Sequence, residues 1–416
     1  MKAAVSGEAQ APSTRARRLE GIEGLRALAA LSVVIYHCGQ VTSSTTLGEG
    51  WLAVATTPFA SGVTFFFVLS GFLLYRPFLR AFAEGGPLPG VGSYLRNRFL
   101  RIFPAYWAVL LLVVLVLGTP VIQVASPQLV TGSGMSAHTL VADGFLVQTF
   151  SPEQLGTGIL PAWSLSVELS FYLLLPLFIL LVELLRRRRP GTRVGVLILA
   201  APMAFLALAV LGKTLALYVI PGSPAGFNEG WHSVLAFSIL TRADAFACGM
   251  LAAVLLLQLE RGVPLPPRRA RLGAEVGLVA LVAGLTWFGG AAGRYYGTTL
   301  LAAIFAAFML WVVVAARREG EGRSPIATFL TSKTMLLLGL CSYSIFLWNH
   351  PLLYWLENHG LIVTGFAGFL LVGAVLALPL LALAYCTYRW VELPALRLKS
   401  IRLTGSAAAG RTASTG

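Results

Sequence analysis

Among the ionisable residues that stand inside otherwise apolar stretches of this sequence are Arg26, His37, Glu168, Arg242, Asp244 and His350. Charged and titratable groups are expensive in such surroundings, so they usually face a bundle interior or a wet cavity and do work there. Arg26 and His37 stand eleven residues apart in the run from Gly24 to His37. At about 100° per residue they share one helix face, about 16 Å apart along the axis. Arg26 is long enough to snorkel to an interface instead, whereas His37 is too short to do so easily.

The set is that of proton transfer during acyl transfer: His37 as base, Glu168 to orient or charge it, Arg242 as a cation with Asp244 as a partner, and His350 as a second imidazole. Each has a structural alternative. Arg242 and Asp244 could form a buried ion pair, Glu168 could bond one helix to another, and His350, followed by Pro351, could cap a helix end. Arg98 and Arg101, three apart and so on one helix face, suit phosphate, or they mark topology only. Ser70 reads as helix packing. No metal is expected, because the five histidines are dispersed and no Cys-x-x-Cys or His-x-x-x-His spacing occurs. Gly-x-Ser-x-Gly and phosphate-loop patterns are absent too.

These residues need an apolar scaffold, and the composition supplies one. The chain is 57% hydrophobic and only 12% charged, with a mean hydropathy of +0.78. Apolar stretches of about twenty residues recur throughout, which marks an all-α polytopic membrane protein. Ten spans are expected: Ile22–Val41, Pro58–Tyr75, Ile102–Ile122, Leu160–Leu185, Val194–Ile220, Val234–Gln258, Gly273–Gly290, Tyr296–Ala316, Leu336–Trp355 and Val363–Tyr388. Thr139–Phe150 is too short to span and reads as interfacial or re-entrant. Of the 31 Lys and Arg, 27 fall in alternate connections and tails, and Arg294 alone falls in the other set. The positive-inside rule then places both termini in the cytoplasm. It also accounts for the net charge of +14 through topology and anionic lipids, without nucleic acid. The four cysteines all lie in expected spans, so no disulfide framework is expected. No cleavable signal peptide is expected, and tails 1–18 and 401–416 are expected to be disordered around a membrane domain of residues 19–400.

The motifs together resemble the acyltransferase-3 family of integral-membrane O-acyltransferases, over about residues 19–399. The carriers are Arg26-x10-His37, the run Phe66-Phe-Val-Leu-Ser-Gly-Phe-Leu-Leu74, Arg98-Phe-Leu-Arg101-Ile-Phe-Pro104 and Trp163-Ser-Leu-Ser-Val-Glu168 with Phe171-Tyr172. Arg242-Ala-Asp244-Ala-Phe-Ala-Cys-Gly249, Ser342-Tyr343-Ser-Ile-Phe-Leu-Trp-Asn-His350-Pro351 and Val391-Glu392-Leu-Pro394 complete the order. The resemblance implies transfer of an acyl group, often acetyl, from acyl-CoA to a hydroxyl of a sugar, lipid, cell-wall component or secondary metabolite. It implies that His37 with Arg26 is catalytic and that Arg98 and Arg101 belong to the functional core. No extracytoplasmic hydrolase-like domain is expected after residue 416, so a second transfer step would need another protein.

The resulting expectation is a multi-pass O-acyltransferase of the cytoplasmic membrane. His37, Arg26 and Glu168 are its catalytic residues, and Arg98 and Arg101 hold acyl-CoA. Arg242, Asp244, Tyr343 and His350 contact the acceptor. Acyl-CoA is a substrate, no cofactor is permanently bound, membrane lipids are partners, and self-association into a homo-oligomer is left open. The rival reading is a transporter or lipid flippase using the same polar cluster.

Overall fold

The computed structural model describes residues 19–43, 50–117, 136–220, 222, 230–262, 290–316 and 324–400. Those residues form helices and turns with no strand. The long helices and one shorter partner are α1 (Ile22–Thr42), α2 (Gly62–Glu84), α3 (Val91–Leu112), α4 (Trp163–Arg188) and α5 (Val194–Tyr218). They continue as α6 (Ile239–Glu260), α7 (Gly290–Ala316), α8 (Lys333–Leu340), α9 (Ser342–Asn358) and α10 (Gly365–Thr387).

Among the described residues, 8 helical stretches are long and apolar enough to cross a membrane. The expected span Leu336–Trp355 is instead broken: α8 and α9 meet at 66° and make a ninth crossing if they act as one. The expected span Gly273–Gly290 lies, but for its last residue, outside the described residues, as do both tails. Pro176, Pro202 and Pro379 fall inside helices, as the sequence implied.

Burial follows the logic of a lipid solvent. Lipid tails are as apolar as leucine, so small residues rather than large ones mark helix–helix contact. Helix α6, with Ala243, Ala245, Ala247, Gly249, Ala252 and Ala253, has 78% of its apolar window buried, against 22% for the stretch containing the larger-faced α10. A Cβ on Gly71 would collide with the Phe246 carbonyl, and one on Gly249 with the Val68 carbonyl. Helices α2 and α6 therefore touch backbone to backbone, and a larger residue at either glycine would prise them apart.

Helix α1 runs parallel to α9. Arg26 Nε donates to Ser342 Oγ at 3.2 Å near the start of both, and His37 Nδ1 bonds Asn349 Oδ1 further along. The segment expected to be too short to span forms a short helix, Ala137–Gly144, and a 3-10 turn, Gln148–Phe150. It is pinned to α3: the Tyr106 hydroxyl donates to the Asp143 carbonyl at 2.8 Å and Trp107 Nε1 to the Gly144 carbonyl at 2.7 Å. Further along the same loop, Leu155 packs with Ala236, Phe237 and Trp163.

Candidate active site

Three cavities are strung along α1. At its start a mouth of about 590 Å³ is lined by Glu23, Arg26, Arg76, Arg98, Arg101, Arg397 and Lys399 among others. It shares Arg26, Leu73, Arg98 and Arg101 with a waist of about 90 Å³, which adds Ser70, Glu168, Tyr172 and Tyr343. The waist in turn shares Val63, Phe67 and Phe346 with a chamber of about 510 Å³ at the other end of α1. The chamber is lined by Tyr36, His37, Trp163, Phe237, Arg242 and His350.

In the chamber, the His37 ring lies edge-on to His350, centroids 5.3 Å apart, and His350 stacks on Tyr354. Asn349 is fully buried, and its Nδ2 donates to the Phe346 carbonyl at 2.5 Å and the Ile345 carbonyl at 3.3 Å. Arg242 also lines the chamber; its Nε donates to the Ala236 carbonyl at 3.3 Å and its guanidinium lies 5.7 Å from the Trp163 ring centre. Among the described residues no carboxylate pairs with Arg242.

Around the waist the charges are more heavily committed. Arg101 Nη1 pairs with Glu392 Oε2 at 2.8 Å, and Ser344 donates to the other Glu392 oxygen. The Arg101 guanidinium also lies 5.5 Å from the ring centre of Tyr343, whose hydroxyl donates to the Ile102 carbonyl at 2.8 Å. Arg98 differs: its guanidinium lies 5.9 Å from the Tyr172 ring centre, its buried Nε has no hydrogen-bond partner, and no described carboxylate pairs with it. Burial, then the nearby Arg98, Arg101 and Arg26 guanidiniums, push the Lys399 ammonium down to about 7. The mouth is thus over-supplied with positive charge, a setting suited to a polyanion.

The structure brings His37, His350 and Arg242 together around one chamber, and Arg26, Arg98, Arg101, Glu168 and Tyr343 around the waist. Glu168 is not the partner of His37. Its Oε1 accepts from Ser70 Oγ and from the Tyr172 hydroxyl, each at 2.5 Å. On α4 it is Trp163 that reaches the chamber, and five residues of helix carry Glu168 about 7.5 Å further on.

Asp244 does not pair with Arg242. Two residues apart is about 200° around a helix, so the two point to opposite faces. Asp244 Oδ2 pairs instead with Lys213 Nζ at 2.5 Å, and Thr299 and the Tyr295 carbonyl complete that buried cluster. Asn349, Lys213, Glu392 and Lys399 were not singled out from sequence for these roles. Asn349 carried one signal: seven residues after Ser342, it shares a face with it on a helix rich in aromatic residues.

A family profile described as an acyltransferase domain matches residues 19–389. The acyltransferase MdmB of Streptomyces mycarofaciens is 27% identical over 341 residues, covering 80% of this chain and 78% of that protein. The O-acetyltransferase OatA of Staphylococcus aureus is 24% identical over 357 residues, 82% of this chain and 52% of that protein, so the chain spans about half its length. No solved structure matches. With a profile that covers nearly the whole chain laid over a bundle of apolar helices, the chain belongs to the acyltransferase-3 family and is a multi-pass membrane acyltransferase.

Proposed function

We propose that the protein is an O-acyltransferase of the cytoplasmic membrane that takes acetyl or another short acyl group from acyl-CoA at the mouth and delivers it to an acceptor hydroxyl in the His37 chamber. The observation that carries this reading is the placing of mouth, waist and chamber along one helix, with cations at one end and imidazoles at the other. The phosphates of coenzyme A are too polar to leave the cationic mouth, while its pantetheine arm is thin enough to enter the waist. The charge alternation of the loops supports a mouth on the cytoplasmic side.

His37 takes the proton of the acceptor hydroxyl as the oxygen attacks the thioester carbonyl. The carbon–oxygen bond forms, the carbon–sulfur bond breaks, and the proton passes to the departing thiolate. Arg242, the cation of the chamber, is placed to stabilise an oxyanion or an anionic part of the acceptor. Acceptors of this reading are hydroxyl-bearing sugars, lipids, cell-wall components or secondary metabolites small enough to present one hydroxyl to the chamber.

The test uses purified full-length protein in lipid nanodiscs with acetyl-CoA and octyl glucoside as a probe acceptor. Free thiol should appear together with acetylated glucoside detected by mass. Absence of both, in protein that instead moves a labelled lipid across vesicles, would favour the transporter reading.

A further inference from the structure

The residue that sets the working state of His37 can be read from the hydrogen bonds around Asn349. A neutral imidazole carries its proton on one of two nitrogens, and which one is decided by what each nitrogen faces. Nδ1 of His37 faces the side-chain amide of Asn349. That amide is not free to turn. Its nitrogen is used as a donor to the Ile345 and Phe346 carbonyls, on the preceding turn of its own helix. Reversing it would set an oxygen against two carbonyl oxygens and leave both without this donor. The oxygen therefore faces Nδ1, and because an amide oxygen only accepts, Nδ1 must carry the proton.

We infer that Asn349 is a positioning residue that holds His37 in the Nδ1-protonated tautomer, leaving Nε2 as the nitrogen that takes the acceptor's proton. The inference rests on the reading of His37 as the base. Three observations support it together. Asn349 is fully buried, so water does not compete for its oxygen. His37 belongs to the chamber lining, whereas Asn349 does not, so the orienting group stands behind the ring rather than in the path of substrate. The carboxylate that could have served, Glu168, is occupied by Ser70 and Tyr172. An amide differs from a carboxylate in what it does next. It fixes the tautomer without a full negative charge, so it favours the imidazolium only weakly, which suits a base that must release its proton to a thiolate.

The experiment compares Asn349→Leu, Asn349→Asp and His37→Ala with the parent in nanodiscs, measuring thiol release from acetyl-CoA with octyl glucoside across pH. Asn349→Leu removes the acceptor at similar volume. Its kcat should fall roughly 10- to 100-fold, a part of the ~10²–10⁴ that acid–base catalysis is worth, with the donor KM unchanged. Its acid limb should move to lower pH, because the imidazolium loses its partner. Asn349→Asp keeps an acceptor oxygen towards Nδ1 but sets its second oxygen against the Ile345 and Phe346 carbonyls and adds a charge, so its kcat should lie between those of Leu and the parent while its acid limb moves to higher pH. A Leu variant with parental kcat and acid limb, or an Asp variant whose acid limb moves to lower pH with that of Leu, overturns the inference while leaving a dead His37→Ala intact. An active His37→Ala overturns the base reading and this one with it. If the Leu variant does not accumulate, Asn349→Ser takes its place, since its short hydroxyl cannot span to Nδ1.

Discussion

The two ends of the cavity line solve opposite problems. At the mouth, positive charge is abundant: Arg26 is bonded to Ser342, Arg101 to Glu392, and burial together with the neighbouring guanidiniums pushes the Lys399 ammonium down to about 7. At the chamber, charge is scarce: two imidazoles and one guanidinium stand among Trp163, Phe237 and Tyr36. A mouth crowded with cations holds an anion by Coulomb attraction, which water and salt weaken. A chamber walled by aromatic groups gives each remaining polar contact more weight, because little water competes with it. The difference suggests a division of labour between donor capture at the mouth and bond exchange at the chamber.

The widest separation between the two ends should come from His37→Ala. The variant should accumulate normally and still bind acetyl-CoA, while turnover falls ~10²–10⁴-fold. Equal losses of binding and turnover would erase the division. Within the waist, Arg98 and Arg101 should part company. Arg98 has no carboxylate to satisfy, so Arg98→Ala should raise the donor KM about ten- to hundred-fold, as loss of a charge-assisted bond of roughly 1.5–3 kcal/mol implies. Arg101→Ala strands Glu392, whose side chain is 1% exposed. Breaking a buried pair costs about 3–5 kcal/mol, so this variant should lose folded protein, measured by detergent-resistant yield and melting. Identical behaviour of the two variants would make the pair a single unit.

The smallest effect concerns pH at the mouth. Lys399 has its ammonium pushed down to about 7, so it is cationic below that pH and loses its charge as pH rises through it. Donor KM should therefore rise by roughly three- to tenfold between pH 6 and pH 8, the scale of one partly exposed phosphate contact. Lys399→Met should flatten that dependence and leave the acid limb of kcat, which belongs to the chamber, where it was. A pH-independent donor KM in the parent would remove Lys399 from the site.

Much of this was legible in the chain because a bilayer simplifies the code. Apolar length alone marked most of the helices, and the shared face of Arg26 and His37 followed from helical spacing. What spacing along one helix could not supply was the partner on another. Glu168 suits His37 by type, yet on α4 about a turn and a half separates Glu168, in the waist, from Trp163, in the chamber. Arg242 and Asp244 were matched by nearness in sequence, yet two residues on a helix diverge in direction. Lys213, 31 positions before Asp244, is its actual partner. The break between α8 and α9 had no proline to announce it, since Pro351 falls inside α9.

The partition between waist and chamber has a consequence for the cell that carries this protein. The cavities along α1 adjoin where Val63, Phe67 and Phe346 line both waist and chamber. An electrical potential falls mainly across the most insulating layer, so with both cavities wetted much of the transmembrane voltage would fall across these side chains. Each elementary charge that crosses 100 mV releases about 2.3 kcal/mol, and a standing gap here would short-circuit that store. On the proposed reading, the side chains at this boundary would have to part for an acyl group and close against protons.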